Sequence, residues 1–292
     1  MNALFSRMLA MCLAAGWMVP ALCVVRLLLT RCPKRYAVRL WGMVALRLLC
    51  PVTVKSRLSL LPRSLPAAPA STALPLGAVW LAGAAVMLLW GGLRLYRLRT
   101  RLTEAAWWKE NVWRCDHLPA PFVMGLVHPK IYLPSDLPEA DAALVLAHER
   151  AHVRRCDSVW KALAYVLLSV YWFNPLLWLA YWLFCRDVEL ACDESVAAGL
   201  TPVERRRYAG LMITCAAPDA PVPGFGSYGL KSRIRTVLGY RKPPRWAAPA
   251  FAAALIISAV CFLTDAKPAY SPAVHSATDQ FFQQLTAIAA EK

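Results

Sequence analysis

The sequence predicts a mostly helical, polytopic membrane fold, with four crossing helices and one long polar segment between the third and the fourth. Three observations carry this. Of the 292 residues 59% are hydrophobic and the mean hydropathy is +0.43, outside the range of ordinary soluble domains. The apolar residues gather into runs near the length a bilayer crossing needs, about 20 residues. The formal charge of +16 sits in Lys and Arg residues beside those runs, as expected at an anionic membrane surface. Membrane lipid is therefore an expected partner, and direct nucleic-acid binding is not.

The first span is read at residues 8–25, with Pro20 as a tolerated kink. Arg26 and more apolar sequence follow it without a clear cleavage site, so it reads as an uncleaved helix rather than a signal peptide. The second span, 36–52, carries Arg39 and Arg47, which must snorkel or face protein. A Pro- and Ser-rich loop, Thr53 to Pro75, leads to the third span at 76–93, and the fourth is read at 246–264; the runs Leu76 to Leu93 and Trp246 to Leu263 carry no charge. Residues 1–96 thus form the amino-terminal membrane unit, 97–245 the polar domain, and 265–292 a short tail. Arg26, Arg31, Lys34 and Arg35 follow the first span, Arg94, Arg97, Arg99 and Arg101 the third, and Arg241, Lys242 and Arg245 precede the fourth. The positive-inside rule then puts both termini outside a bacterial-type plasma membrane and residues 97–245 in the cytoplasm. Ten scattered cysteines with no CxxC pair read as reduced thiols or core residues.

Two stretches of the polar domain have shape of their own. Val112 to Leu133 alternates enough for a β-hairpin, for which a purely structural role is the simpler reading beside that of an edge that holds substrate. Residues 159–184 are apolar but interrupted by Lys161 and by the turn signal Asn174-Pro175. They read as a membrane-associated helical hairpin that dips into the cytoplasmic leaflet or packs on the other spans. A single crossing there would separate His148 from Glu189.

The chemistry lies between Ala142 and Asp157, on a helix started near Ser135, Asp136 and Pro138. His148-Glu149-Arg150-Ala151-His152 places two imidazoles four residues apart, on one helix face, where both can bind one zinc ion while Glu149 reaches a water beside it. Such an ion activates water and polarises a peptide carbonyl, and a carboxylate moves the proton, the role open to Glu149. The bland reading is a solvated helix with two incidental histidines. A catalytic ion needs a third protein ligand and an open position, and downstream only Asp187, Glu189, Asp193 and Glu194 form an acidic cluster. Glu189 and Asp193 share a helical face, so one can ligate while the other hydrogen-bonds a ligand histidine. An ordinary acidic helix surface is the alternative.

His148-Glu149-x-x-His152-x-x-Arg155-x-Asp157, then Trp172-Phe173-Asn174-Pro175, then Glu189-Leu190-Ala191-Cys192-Asp193 resembles the BlaR/MecR-type membrane zinc metallopeptidases, the beta-lactam-sensing antirepressors and their relatives. Pro121 to Gly125 and Pro129 to Pro134 resemble the segment before that family's zinc helix. The resemblance implies a gluzincin-like metallopeptidase domain holding one zinc ion per chain, with Glu189 as the third ligand beside His148 and His152. It also implies Glu149 as general base, Asp193 and Asp157 as supporting residues, and an edge strand that holds substrate beside the metal. Its implied substrates are the chain itself and a cytoplasmic winged-helix repressor, and a homodimer is compatible with it. Gly224 to Gly239 resembles the family's self-cleavage loop, against the simpler reading of a basic membrane-proximal linker. After the last span only Thr264 to Lys292 remain, without an acylatable Ser-x-x-Lys, so the penicillin-binding sensor domain of such transducers is not expected here. Ser158-Val159-Trp160-Lys161 fits that pattern by coincidence.

Two other classes compete with a protease. A non-catalytic receptor or scaffold could keep a structural zinc site, although such sites are usually closed by four protein ligands. A small transporter draws only on Arg39 and Arg47.

Overall fold

The computed structural model describes residues 2–29, 32–50, 54–56, 76–116, 118, 120–215 and 229–266. The loop over 57–75, the start of the Gly224–Gly239 stretch and the tail from 267 lie outside the described residues. The protein is mostly helical with a small mixed sheet.

Helices α1 (Asn2–Leu28), α2 (Lys34–Leu49) and α3 (Leu76–Arg101) come first, and α1 runs unbroken through Pro20. By length and composition two helices can cross a membrane, α1 over Met11–Leu28 and α3 over its whole length. Of the four spans expected, two are thus candidate crossings among the described residues. The α2 helix holds 16 residues, short of the ~20 a crossing needs, because Cys50 turns extended (φ −104°, ψ 110°) ahead of Pro51. The last helix among the described residues is equally short, since its apolar run gives way to a strand at Thr264.

Strand β1 (Val54–Ser56) lies before α3 and outside the main sheet; the four strands that follow α3, β2 (Ala106–Lys109), β3 (Val112–Cys115), β4 (Phe122–Met124) and β5 (Lys130–Pro134), form one sheet in the order β2-β3-β5-β4. The single hairpin expected over Val112 to Leu133 is thereby corrected. Those residues hold three strands, with β5 inserted parallel to β3 and antiparallel to β4. The alternation missed this because β5 is central, with Ile131, Tyr132 and Leu133 all buried. The β4–β5 turn depends on Gly125, which has a φ of +109° and where an added Cβ would lie 2.5 Å from the His128 carbonyl oxygen. As a result β4 is left at an edge, facing α4.

Helix α4 (Glu139–Arg154) starts after Pro138, with Glu139 and Asp141 in the first turn, where negative charge suits the helix dipole. It ends where Cys156 takes a left-handed conformation (φ 53°), so Asp157 begins a new helix, α5 (Asp157–Val170), rather than continuing the first. Asn174 caps α6 (Pro175–Ala197), accepting a hydrogen bond from the Leu176 N–H (2.9 Å), with Pro175 in its first turn. The expected helical hairpin is present and longer than 159–184 at both ends.

This hairpin packs on the neighbouring helices over its whole length. Tyr165 Oη donates to the Met87 carbonyl (2.7 Å) and Trp80 Nε1 to that of Val170 (2.7 Å), which sets α5 antiparallel along α3. Its tip reaches Leu48, whose carbonyl accepts from Tyr171 Oη (3.0 Å), and Cys12, whose Sγ accepts from Asn174 Nδ2 (3.1 Å). Gly83 and Gly91 make room for Trp172 and Tyr165, which a Cβ at either position would strike at 2.5 Å or less. A shared apolar core runs through α1, α2, α5, α6 and Phe251.

The described residues close with α7 (Pro202–Thr214), capped by a Thr201–Glu204 box, then α8 (Leu230–Leu238), α9 (Ala247–Phe262) and β6 (Thr264–Ala266). Strand β6 pairs in parallel with β1, bringing the ends of α2 and α9 together. At the opposite end of the bundle, Asp187 of α6 accepts from Arg26 Nε (2.7 Å) and Trp41 Nε1 (2.9 Å), Arg26 Nη2 also donating to it, and Glu194 accepts from the Lys34 N–H (2.7 Å).

Candidate metal centre

One turn of α4 separates His148 from His152, and both rings turn Nε2 to the same point, 3.1 Å apart. From α6, Glu189 brings Oε2 to 3.6 Å from His148 Nε2 and Oε1 to 3.6 Å from His152 Nε2. All three side chains are buried. A tetrahedral ion bonded at ~2.0–2.1 Å holds its donors about 3.3–3.4 Å apart. The spacing and the His, His, Glu donor set therefore fit one divalent ion.

The far side of each imidazole is held by a carboxylate. His152 Nδ1 lies 2.9 Å from Asp157 Oδ2 and 3.3 Å from Cys192 Sγ. His148 Nδ1 lies 2.8 Å from Tyr208 Oη and 3.2 Å from Asp193 Oδ1. Carboxylates there favour the proton on Nδ1 and leave the Nε2 lone pair facing the shared point, the usual outer support of a metal-binding histidine. Cys192, His152 and Asp157 also form a compact donor group, but Cys192 does not line the cavity onto which the Nε2 atoms open.

That cavity, of about 140 Å³, is lined by His148, Glu149, His152 and Glu189, by Phe122 and Val123 of β4, and by Tyr208 and Arg233. Glu149 is buried on the same helix face as the open space. Two cations balance the acids. Lys161 Nζ sits 2.9 Å from Glu189 Oε1, and Arg233 spans Glu189 Oε2 (3.3 Å) and both Asp193 oxygens (2.7 and 3.0 Å). Burial by itself would raise the Glu189 carboxyl, but Lys161, Arg233 and His152 hold it well below the usual carboxylate range. Burial opposes the Asp193 anion too, and Arg233 with the His148 contact brings its pKa down to about 2.

All six residues expected from the sequence, His148, Glu149, His152, Asp157, Glu189 and Asp193, meet here. The acidic cluster divides by helical face. Glu189 and Asp193 point to the histidines, whereas Asp187 and Glu194, seven residues apart, point to α1 and α2. Tyr208, Arg233 and the role of Lys161 were not foreseen. Lys161 showed as a charge interrupting an apolar run and as the end of a coincidental Ser-x-x-Lys match, neither of which points to Glu189. Arg233 showed only as one of several basic residues in what read as a linker, which is instead helix α8. Tyr208 left no signal.

Comparison with known proteins gives a consistent result. A family profile described as BlaR1 peptidase M56 matches residues 63–234, more than half of the chain. The Methicillin resistance mecR1 protein of Staphylococcus aureus is 27% identical over 143 residues, which cover 44% of this chain and 24% of that protein. The Regulatory protein BlaR1 of Bacillus licheniformis is 28% identical over 159 residues, covering 47% of this chain and 26% of that protein. The match spans about a quarter of the length of these curated relatives.

Proposed function

The chain belongs to the BlaR1 peptidase M56 family, and from that premise we propose that it is a membrane-embedded, zinc-dependent endopeptidase that acts in signal transduction. The observation that carries the proposal is the convergence of His148 Nε2, His152 Nε2 and Glu189 at tetrahedral spacing on a cavity that also holds Glu149. Three protein donors and an open side fit a catalytic ion better than the closed four-donor shell of a structural one. This weighs against a non-catalytic receptor.

When bound, zinc lowers the pKa of a water and polarises the scissile carbonyl. Glu149 takes the proton from the attacking water and returns it to the leaving amine, so the peptide C–N bond breaks as the C–O bond forms. Arg233, on the cavity wall, offers positive charge toward the carbonyl oxygen as its charge develops, while the Tyr208 hydroxyl gives its one proton to Asp193 and holds that carboxylate beside His148. Strand β4 lines the cavity with a free edge, where a substrate segment adds as a further strand.

We take the substrates to be the chain itself and a cytoplasmic winged-helix repressor. The name of the Bacillus licheniformis relative, a regulatory protein, supports a regulatory role over a digestive one. In this reading α1, α2, α3 and α9 cross the membrane, the termini lie outside and the metal centre faces the cytoplasm. The basic residues beside the helices support that orientation.

Glu149→Gln tests the mechanism. Cleavage should fall by roughly 10²–10⁴-fold, as on loss of a general base, with one zinc per chain retained by elemental analysis. Full cleavage by that variant would overturn the assignment.

A further inference from the structure

A crevice separate from the metal centre runs between α2, α5 and α6 and changes character along its length. Its deeper part, about 560 Å³, is apolar, walled by Trp41, Val44, Leu163, Leu167 and Phe184 and ending at Leu48 and Leu49. Its mouth, about 550 Å³, gathers Arg35, Arg39, Arg154, Arg155 and Arg241 against two carboxylates, Asp157 and Glu194. Both volumes are those of small-molecule sites. The two parts share Val38, Arg39 and Trp160, so they form one continuous amphipathic channel.

Neither carboxylate neutralises the mouth. Asp157 is taken up by His152 and Arg155, and Glu194 by the Lys34 N–H. Among the described residues Arg39, Arg154 and Arg241 enter no ion pair, and all three are exposed. From Arg39 to Leu49 is ten residues of helix, about 15 Å, which is half of a ~30 Å hydrocarbon core. Trp160, half-exposed, stands where the charged and apolar parts meet, the level at which indoles sit in a bilayer.

We propose that this crevice is a binding site for one anionic glycerophospholipid, its phosphate among Arg39, Arg154 and Arg241 and one acyl chain along α2 to Leu49. The proposal rests on the membrane placement inferred above but not on catalysis. A fixed anion answers the unpaired arginines, and an attached chain answers an apolar groove one leaflet deep. The floor of the mouth includes Ala151 and Asp157, so the headgroup lies behind the His152 helix turn.

The test uses the full chain carrying Glu149→Gln, in detergent micelles titrated with phosphatidylglycerol or phosphatidylcholine brominated on the acyl chain. Phosphatidylglycerol should quench a saturable part of the tryptophan fluorescence, and Trp160→Phe should lower that part, leaving the share of Trp41 on the acyl wall. Arg154→Gln with Arg241→Gln should raise the half-saturating concentration roughly five-fold per charge removed, about 30-fold together. Arg154→Lys with Arg241→Lys should restore most of the affinity, which separates lost charge from misfolding. Equal quenching by both lipids, indifference to the arginines, or a dimer that shields Trp160 from either lipid would each overturn the proposal. A chain that fails to enter lipid vesicles would overturn the membrane placement as well.

Discussion

At the scale of single residues, the metal centre depends on groups that never touch the ion. Asp193 holds His148 while being held by Arg233 and Tyr208. Asp193→Asn should weaken zinc binding by roughly 10–100-fold, measured by competition with a chelator, without changing the donor set. The same residue sets a pH dependence. Its folded pKa of about 2 lies below the free value of 3.8, so its contribution to stability is complete above about pH 4 and is lost as pH falls through about 2. Thermal melts of chelator-treated protein should therefore show a wild-type advantage over Asp193→Asn that shrinks across that interval. The sequence disclosed the histidine pair because helical spacing is a local property. It left Glu189 and Asp193 interchangeable until the resemblance assigned them, because what distinguishes them is the imidazole nitrogen each meets, Nε2 of both histidines for Glu189 and Nδ1 of His148 for Asp193, and the packing of α6 on α4 sets that.

At the scale of elements, the β4 edge is shaped by one turn. Gly125→Ala sets a Cβ against the His128 carbonyl at a φ that L-residues avoid, and should destabilise the protein by more than about 1 kcal/mol. Because the metal donors sit on α4 and α6, zinc content should stay at wild-type level while cleavage slows, a combination that melting, elemental analysis and a cleavage assay would together detect. The α5–α6 helical hairpin, the start of α4 and the Asn174-Pro175 turn were readable from local signals. Strand order was not, since the insertion of β5 between β3 and β4 is a long-range choice fixed by burial of Ile131 and Leu133. The break between α4 and α5 was also hidden, because Cys156 adopts a conformation normally marked by glycine.

At the scale of the whole molecule, the charged clamp of Asp187 on Arg26 and Trp41 ties the hairpin to the first two helices. Asp187→Ala leaves a partly buried arginine without its counter-ion and should cost about 3–5 kcal/mol, read from denaturant or thermal unfolding in detergent. Asp187→Asn, which keeps an acceptor for Trp41, should lose less. Composition announced the membrane class, and two helices match its length rule. The 16-residue α2 and α9 did not announce themselves, since apolar windows run past the points where Pro51 and Thr264 end the helices. Helix α9 is stitched at one end by the β1–β6 pairing, and at the other it runs through eight residues, Gly239 to Trp246, into α8 and Arg233. It is thus a rod with one end in each half of the molecule. The distant strand and the arginine beside the histidines therefore lie on one continuous stretch of chain, joined by that helix and its eight-residue link.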